Sequence, residues 1–164
     1  MMDEIDEQLG GVPPDLVVVP VGVGSLAQAV VGHCKMAGRK TAVLAVEPEA
    51  AACLNENLRT GRLEPVITGS TIMSGMNCGT VSTAAWPVLK AGVDASVTVS
   101  DTEAHEAVLS LGKDGIMAGP CGAAPLAALK KVMEMEGDVL GLSDKSVVVL
   151  LCTEGSREYE TPTQ

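Results

Sequence analysis

Leu16-Val-Val-Val-Pro20, followed by Val21-Gly-Val-Gly24-Ser-Leu-Ala27, is the stretch that decides the fold. Its first five residues are a continuous apolar, β-branched run, the pattern of a strand buried on both faces of a parallel sheet. Two glycines then punctuate the chain, and Ser25 to Met36 suit a helix ended by Gly38. At such a strand-to-helix turn the first backbone N–H groups are unpaired, and the helix dipole adds partial positive charge. Glycines let an anion approach that backbone closely, so the turn is a phosphate cradle that needs no lysine or arginine. The spacing also matches the loose dinucleotide pattern G-x-G-x-x-A, with Glu47 ending the next strand where a ribose-binding acid would sit. A tight strand-to-helix turn without a ligand is the alternative reading.

The same alternation continues outward. Thr41 to Val46 reads as a second buried strand, and Pro48 as the first turn of a helix running to about Arg59. Residues 63–80 are rich in Gly, Ser, Thr and Met and read as an irregular connection. Ser82 to Lys90 suits a helix that Pro87 would shorten or kink. Ala95 to Val99 is a third strand, and Ser100-Asp-Thr-Glu103 a capping box opening a helix to about Leu111. Gly119-Pro-Cys-Gly122 reads as a turn, Ala123 to Glu136 as a helix, and Ser146 to Leu151 as the last strand. Strands alternating with helices predict an α/β fold: three layers, a mostly parallel sheet of about four strands, helices on both faces. The expected organisation is an acidic tail over 1–14, one domain over 15–157 and a polar tail over 158–164.

Composition narrows the function. The chain has 164 residues, 46% of them hydrophobic and 20% charged, with one Trp, one Tyr and no Phe against 18 Gly. Its net charge is −10, without a basic stripe or stacking aromatics, which argues against nucleic-acid binding. No apolar run approaches membrane-spanning length, and the acidic start lacks a signal-peptide layout. A cytoplasmic protein is the expectation. The acidity is concentrated at the ends: residues 1–15 carry five acids and no base. Five widely spaced cysteines without a C-x-x-C, and two separated histidines, predict neither a disulfide framework nor a metal site.

Ligands of open parallel sheets bind at the carboxyl ends of the strands. The candidates are therefore Gly22, Val23, Gly24 and Ser25 after the first strand, Glu47 after the second, Asp101 after the third, and Cys152, Thr153 and Glu154 after the last. Glu154 has the best position for a cleft carboxylate, whereas Glu47 can equally cap its own turn. Cys121, at a helix start, can gain thiolate character, with an inert buried thiol as the alternative. His33 lies two turns into the helix, pointing away from the strand ends, and His105 sits on a capped helix; both fit structural or surface roles. Met73 and Met76 suit apolar lining.

Five stretches resemble, in order, the C-terminal part of fold-type II pyridoxal-phosphate enzymes, the tryptophan synthase β-like superfamily. Within it they are most similar to the diaminopropionate ammonia-lyases. The stretches are Gly22-Val-Gly-Ser-Leu-Ala-Gln-Ala-Val30, Val46-Glu-Pro-Glu-Ala-Ala-Ala-Cys-Leu54, Thr71-Ile-Met-Ser-Gly-Met-Asn-Cys-Gly79, Gly119-Pro-Cys-Gly-Ala-Ala-Pro-Leu-Ala-Ala-Leu129 and Thr153-Glu-Gly155. The resemblance implies that Gly22, Val23, Gly24 and Ser25 hold the cofactor phosphate and that Gly75 and Met76 lie beside the pyridine ring. It implies that Thr153, with Cys152 beside it, faces the ring nitrogen, where a neutral group suits β-elimination. Gly119 to Gly122 would line the substrate side. It also places the Schiff-base lysine, the carboxylate-gripping loop and the acidic bases upstream of these stretches, so the chain reads as a truncated relative without that lysine. None of Lys35, Lys40, Lys90, Lys113, Lys130, Lys131 and Lys145 has a desolvated strand-end context suited to the role.

Three functions follow as expectations. The first is a repurposed small-molecule enzyme, an isomerase, cyclase or lyase using general acid–base groups (Glu47, Asp101, His33, Cys121, Glu154) and requiring no cofactor, although pyridoxal phosphate or another phosphate-bearing ligand remains compatible. The second is one chain of a two-chain pyridoxal-phosphate lyase. The third is a non-catalytic interaction module. A homo-oligomer, or a partner chain covering the face of the missing domain, is expected in each case.

Overall fold

The computed structural model describes residues 1–36, 38–135 and 140–163. Along the chain lie α1 (Met2–Gln8), β1 (Leu16–Pro20), α2 (Ser25–Cys34), β2 (Ala42–Pro48), α3 (Cys53–Thr60), α4 (Trp86–Gly92), β3 (Ala95–Val99), α5 (Asp101–Lys113), α6 (Pro120–Glu134) and β4 (Val148–Leu150). The four strands form one sheet in the order β3-β2-β1-β4, and every pair is parallel. The fold is α/β, as the alternation of apolar runs and helical stretches predicts.

Period-2 alternation divides β1 and β2 between two cores. Leu16, Val18, Leu44 and Val46 face one side, packed with Met73, Met76 and the alanine-rich faces of α5 and α6. Val17, Val19, Val43 and Ala45 face the other, with Ala27, Val30 and Val31 of α2, Cys53 and Leu54 of α3, and Leu89 of α4. All five residues of β1 are buried, as a central strand covered on both faces requires. With almost no aromatic side chains, the helices reach the sheet largely through Ala, Val and Leu.

Several boundaries differ from the sequence expectation, each for a physical reason. The acidic start is not a free tail. α1 packs Met2 and Ile5 onto the second core, and Asp6 accepts hydrogen bonds from His33 Nε2 at 2.9 Å and from the Arg39 guanidinium. Pro48 closes β2 in extended geometry (φ −64°, ψ 141°) rather than opening a helix, and a single 3₁₀ turn, Glu49–Ala51, precedes α3. α4 starts at Trp86, with Pro87 in its first turn, where a missing N–H costs nothing. α6 begins at Pro120, so the Gly119–Gly122 stretch is a helix start and not only a turn. The expected end of that helix at Glu136, and the last residue of the polar tail, Gln164, lie outside the described residues. The capping box stands as read: the Glu103 N–H donates to Ser100 Oγ at 3.1 Å, and the Ser100 N–H to Glu103 Oε2 at 2.6 Å.

Among the described residues, no helix is long and apolar enough to cross a membrane.

Candidate functional site

The strand order reverses direction between β1 and β4. The connection leaving β1 runs through α2 on one face, while α6, which precedes β4, covers the other. A crevice opens at the carboxyl ends of two such neighbouring strands. Here it is a cleft of about 360 Å³ lined by Gly22 to Ala27, Gly75, Met76, Cys121, Thr153 and Glu154, with Pro20 at its base. These segments are up to 134 residues apart in sequence (Pro20 to Glu154); the topology alone brings them together.

The β1–α2 turn forms one wall. Gly24 caps α2 at φ 97°, the left-handed region, and an added Cβ would lie 2.8 Å from Leu89 Cδ1. Glycine is therefore needed twice over at this position. Among the described residues, the backbone N–H groups of Val23 to Ala27 have no hydrogen-bond partner. They are directed donors at the positive end of a ten-residue helix.

The opposite wall is tied together by Glu154. Its Oε2 accepts the Cys121 N–H of α6 at 2.7 Å, and its Oε1 accepts Arg157 Nε at 2.8 Å. Its main-chain oxygen accepts the Gly119 N–H at 3.0 Å. This loop lies so close to α6 that a Cβ on Gly122 would fall 2.4 Å from the Glu154 carbonyl oxygen. Arg157 extends the network: its guanidinium donates to the Ile72 carbonyl and, at 3.3 Å, to Ser74 Oγ. Ser74 begins the 3₁₀ turn Ser74–Met76, which carries Gly75 and Met76 into the cleft.

The other candidates lie elsewhere. Glu47 is fully buried and accepts the N–H groups of Leu54 at 2.7 Å and Asn55 at 2.6 Å. It therefore caps α3, and burial pushes its carboxyl up to about 7 against the pull of those hydrogen bonds. Asp101 accepts Thr71 Oγ1 at 2.5 Å and the Ile72 N–H at 3.1 Å, anchoring the 63–80 connection to the start of α5. His33 is a contact of α1. His105 Nδ1 meets the Tyr159 hydroxyl at 2.7 Å. Glu47, Asp101 and His33 are thus not gathered with Glu154 and Cys121. Cys121 is buried, and burial followed by the Glu154 charge pushes its thiol up, away from thiolate character. Cys152 is exposed beside the cleft, whereas Thr153 lines it. Among the described residues, no lysine lines the cleft.

Arg157 is not recognisable as a site residue from the sequence. The only signal was its i,i+3 spacing from Glu154, since its contacts to Ile72 and Ser74 cross more than eighty residues of chain.

Comparison with known proteins identifies the family. A family model described as pyridoxal-phosphate dependent enzyme matches residues 1–154. The chain is 34% identical over 160 residues to the biosynthetic L-threonine dehydratase of Mycobacterium leprae, covering 94% of this chain and 35% of that protein. It is 27% identical over 175 residues to the diaminopropionate ammonia-lyase of Escherichia coli, covering 98% and 44% respectively. Among solved structures, that E. coli ammonia-lyase with a bound reaction intermediate superposes with a TM-score of 0.78 at 28% identity, over 94% of this chain and 43% of the other. The chain thus spans less than half the length of these relatives.

Proposed function

The chain belongs to the pyridoxal-phosphate dependent enzyme family, and from that premise we propose that it supplies the phosphate-binding and ring-facing walls of a lyase site for amino acids. The observation that carries this reading is the lysine-free cleft where the open helix N-terminus of α2 faces Met76, Thr153 and Glu154. The residues fit the cofactor. A phosphate ester needs converging N–H donors and close backbone approach, and Val23 to Ala27 provide both without a basic side chain. The flat ring needs apolar lining with few polar groups, which Gly75, Met76 and Thr153 match. When bound, the cofactor supplies an electron-withdrawing ring that makes the α-carbon of an amino acid acidic.

Residues 1–164 then bind and orient. The α2 amides hold the phosphate, Thr153 offers a neutral hydroxyl to the ring nitrogen, and Glu154, already engaged twice, fixes the start of α6. The amine that would link to the cofactor comes from a partner polypeptide or another segment. β-Elimination of an amino acid, as in the diaminopropionate ammonia-lyases, is the reaction class. A second reading, lysine-independent acid–base chemistry, draws on the same absence of lysine in the cleft. It is less well supported, because both Glu154 oxygens are occupied and the Cys121 thiol is held protonated.

The test adds pyridoxal phosphate to the chain, reduces with borohydride and maps modified peptides. Saturable binding that inorganic phosphate displaces, with no single lysine labelled stoichiometrically, supports the reading. Stoichiometric labelling of one of the chain's own lysines, or no binding, contradicts it.

A further inference from the structure

Arg157 sits where the loop after β4, which packs on the start of α6, meets the Ile72–Ser74 segment. Nε donates to Glu154 Oε1 at 2.8 Å. The same guanidinium donates to the Ile72 carbonyl and, at 3.3 Å, to Ser74 Oγ. Nη1 donates to the Glu158 carbonyl at 3.3 Å, and the guanidinium carbon lies 5.8 Å from the centre of the Tyr159 ring. Glu154 in turn caps α6 through the Cys121 N–H. Side-chain exposure is 32% for Arg157 and 22% for Glu154, so the pair is shielded more than a surface ion pair and is less open to salt. A planar fork with several fixed donors can hold a carboxylate and a carbonyl at once; a lysine ammonium has no such geometry.

We infer that Arg157 is a positioning residue of the cleft: it ties the carboxylate that caps α6 to the Ile72–Ser74 wall, and so sets which flat, phosphate-bearing ligands the cleft admits. The inference rests on the cofactor-site reading above. None of the partners of Arg157 belongs to the phosphate cradle, Gly22 to Ala27. The device therefore acts directly on the ring-facing side, and reaches the phosphate seat only through Gly75 and Met76, which lie against Gly22. That separation distinguishes it from a general structural role, which would weaken both halves together.

The test compares Arg157→Gln and Arg157→Lys with the unaltered chain, using two probes. Inorganic phosphate reads the α2 seat. Pyridoxine 5′-phosphate, which carries the ring and ester but no aldehyde, reads both walls. Arg157→Gln should weaken pyridoxine phosphate by about tenfold, a 1.4 kcal/mol change, while leaving phosphate affinity within about twofold. Arg157→Lys should recover little of that loss, because charge without the fork cannot hold both Glu154 and Ile72. Hydrogen exchange at the amides of residues 74–78 should speed up in both variants, with exchange in α2 unchanged. Equal weakening of both probes, full recovery by Arg157→Lys, or unchanged exchange at 74–78 overturns the inference. If the unaltered chain binds neither probe, the cofactor-site reading fails, and with it the ligand selectivity assigned to Arg157.

Discussion

Gly24 carries the largest backbone demand in the site. Its φ of 97° lies where an L-residue meets its own carbonyl, and the Leu89 side chain occupies the space a Cβ would need. Gly24→Ala should cost at least about 1–2 kcal/mol of folding free energy, read by urea or thermal unfolding, and should abolish phosphate binding. Glu47 presents a different situation. Its carboxyl is buried without a cation, so burial raises it from 4.5 to about 7 despite two backbone donors. The folded state then keeps a proton that the unfolded chain has lost, and stability falls as pH rises from about 4.5 to about 7, then levels. Glu47→Gln keeps one acceptor oxygen without a charge to bury. It should flatten that slope and leave the chain at least as stable above pH 7, measured by urea midpoints across pH. A slope unchanged by the substitution would show that the pH dependence arises elsewhere.

The elements that could be read from sequence are those whose stability is local or whose burial is total. β1 and β2 stood out because a strand covered on both faces must be continuously apolar, whereas β3, at the sheet edge and half-buried, showed itself as a short β-branched alternation ahead of the α5 cap. α5 stood out because its capping box lies wholly within four residues, and both reciprocal bonds are present. Ser100→Ala should therefore cost about 1 kcal/mol in thermal unfolding, with fraying confined to the first turn of α5. α1 was invisible for the converse reason. Seven residues form no stable helix alone, and this one exists through Met2 and Ile5 on the core and Asp6 on His33 and Arg39. The start of α6 was obscured because Gly119 and Gly122 read as turn residues. They are glycines to let Glu154 and Cys152 approach the helix, a constraint from another part of the chain.

At the scale of the whole molecule, the sheet order explains why the site lies where it does. The candidates that met in the cleft are the residues after β1 and β4, the pair between which the order reverses, joined by Cys121 and by Gly75 and Met76. Those after β2 and β3 became a helix cap and a loop anchor, a distinction that requires knowing which strands are neighbours. The same topology reconciles a net charge of −10 with the proposed anion site, since its cradle would consist of backbone amides. These amides form the proposed phosphate seat. It is tested most directly by titrating the ¹⁵N-labelled chain with pyridoxine 5′-phosphate and following the amide resonances. Saturable shifts are expected at Val23 to Ala27 and at Gly75 and Met76; inorganic phosphate, filling the α2 seat, should reverse those at Gly75 and Met76 while Val23 to Ala27 stay shifted. No shift at Val23 to Ala27 while other amides respond, or no saturable response at all, would contradict it.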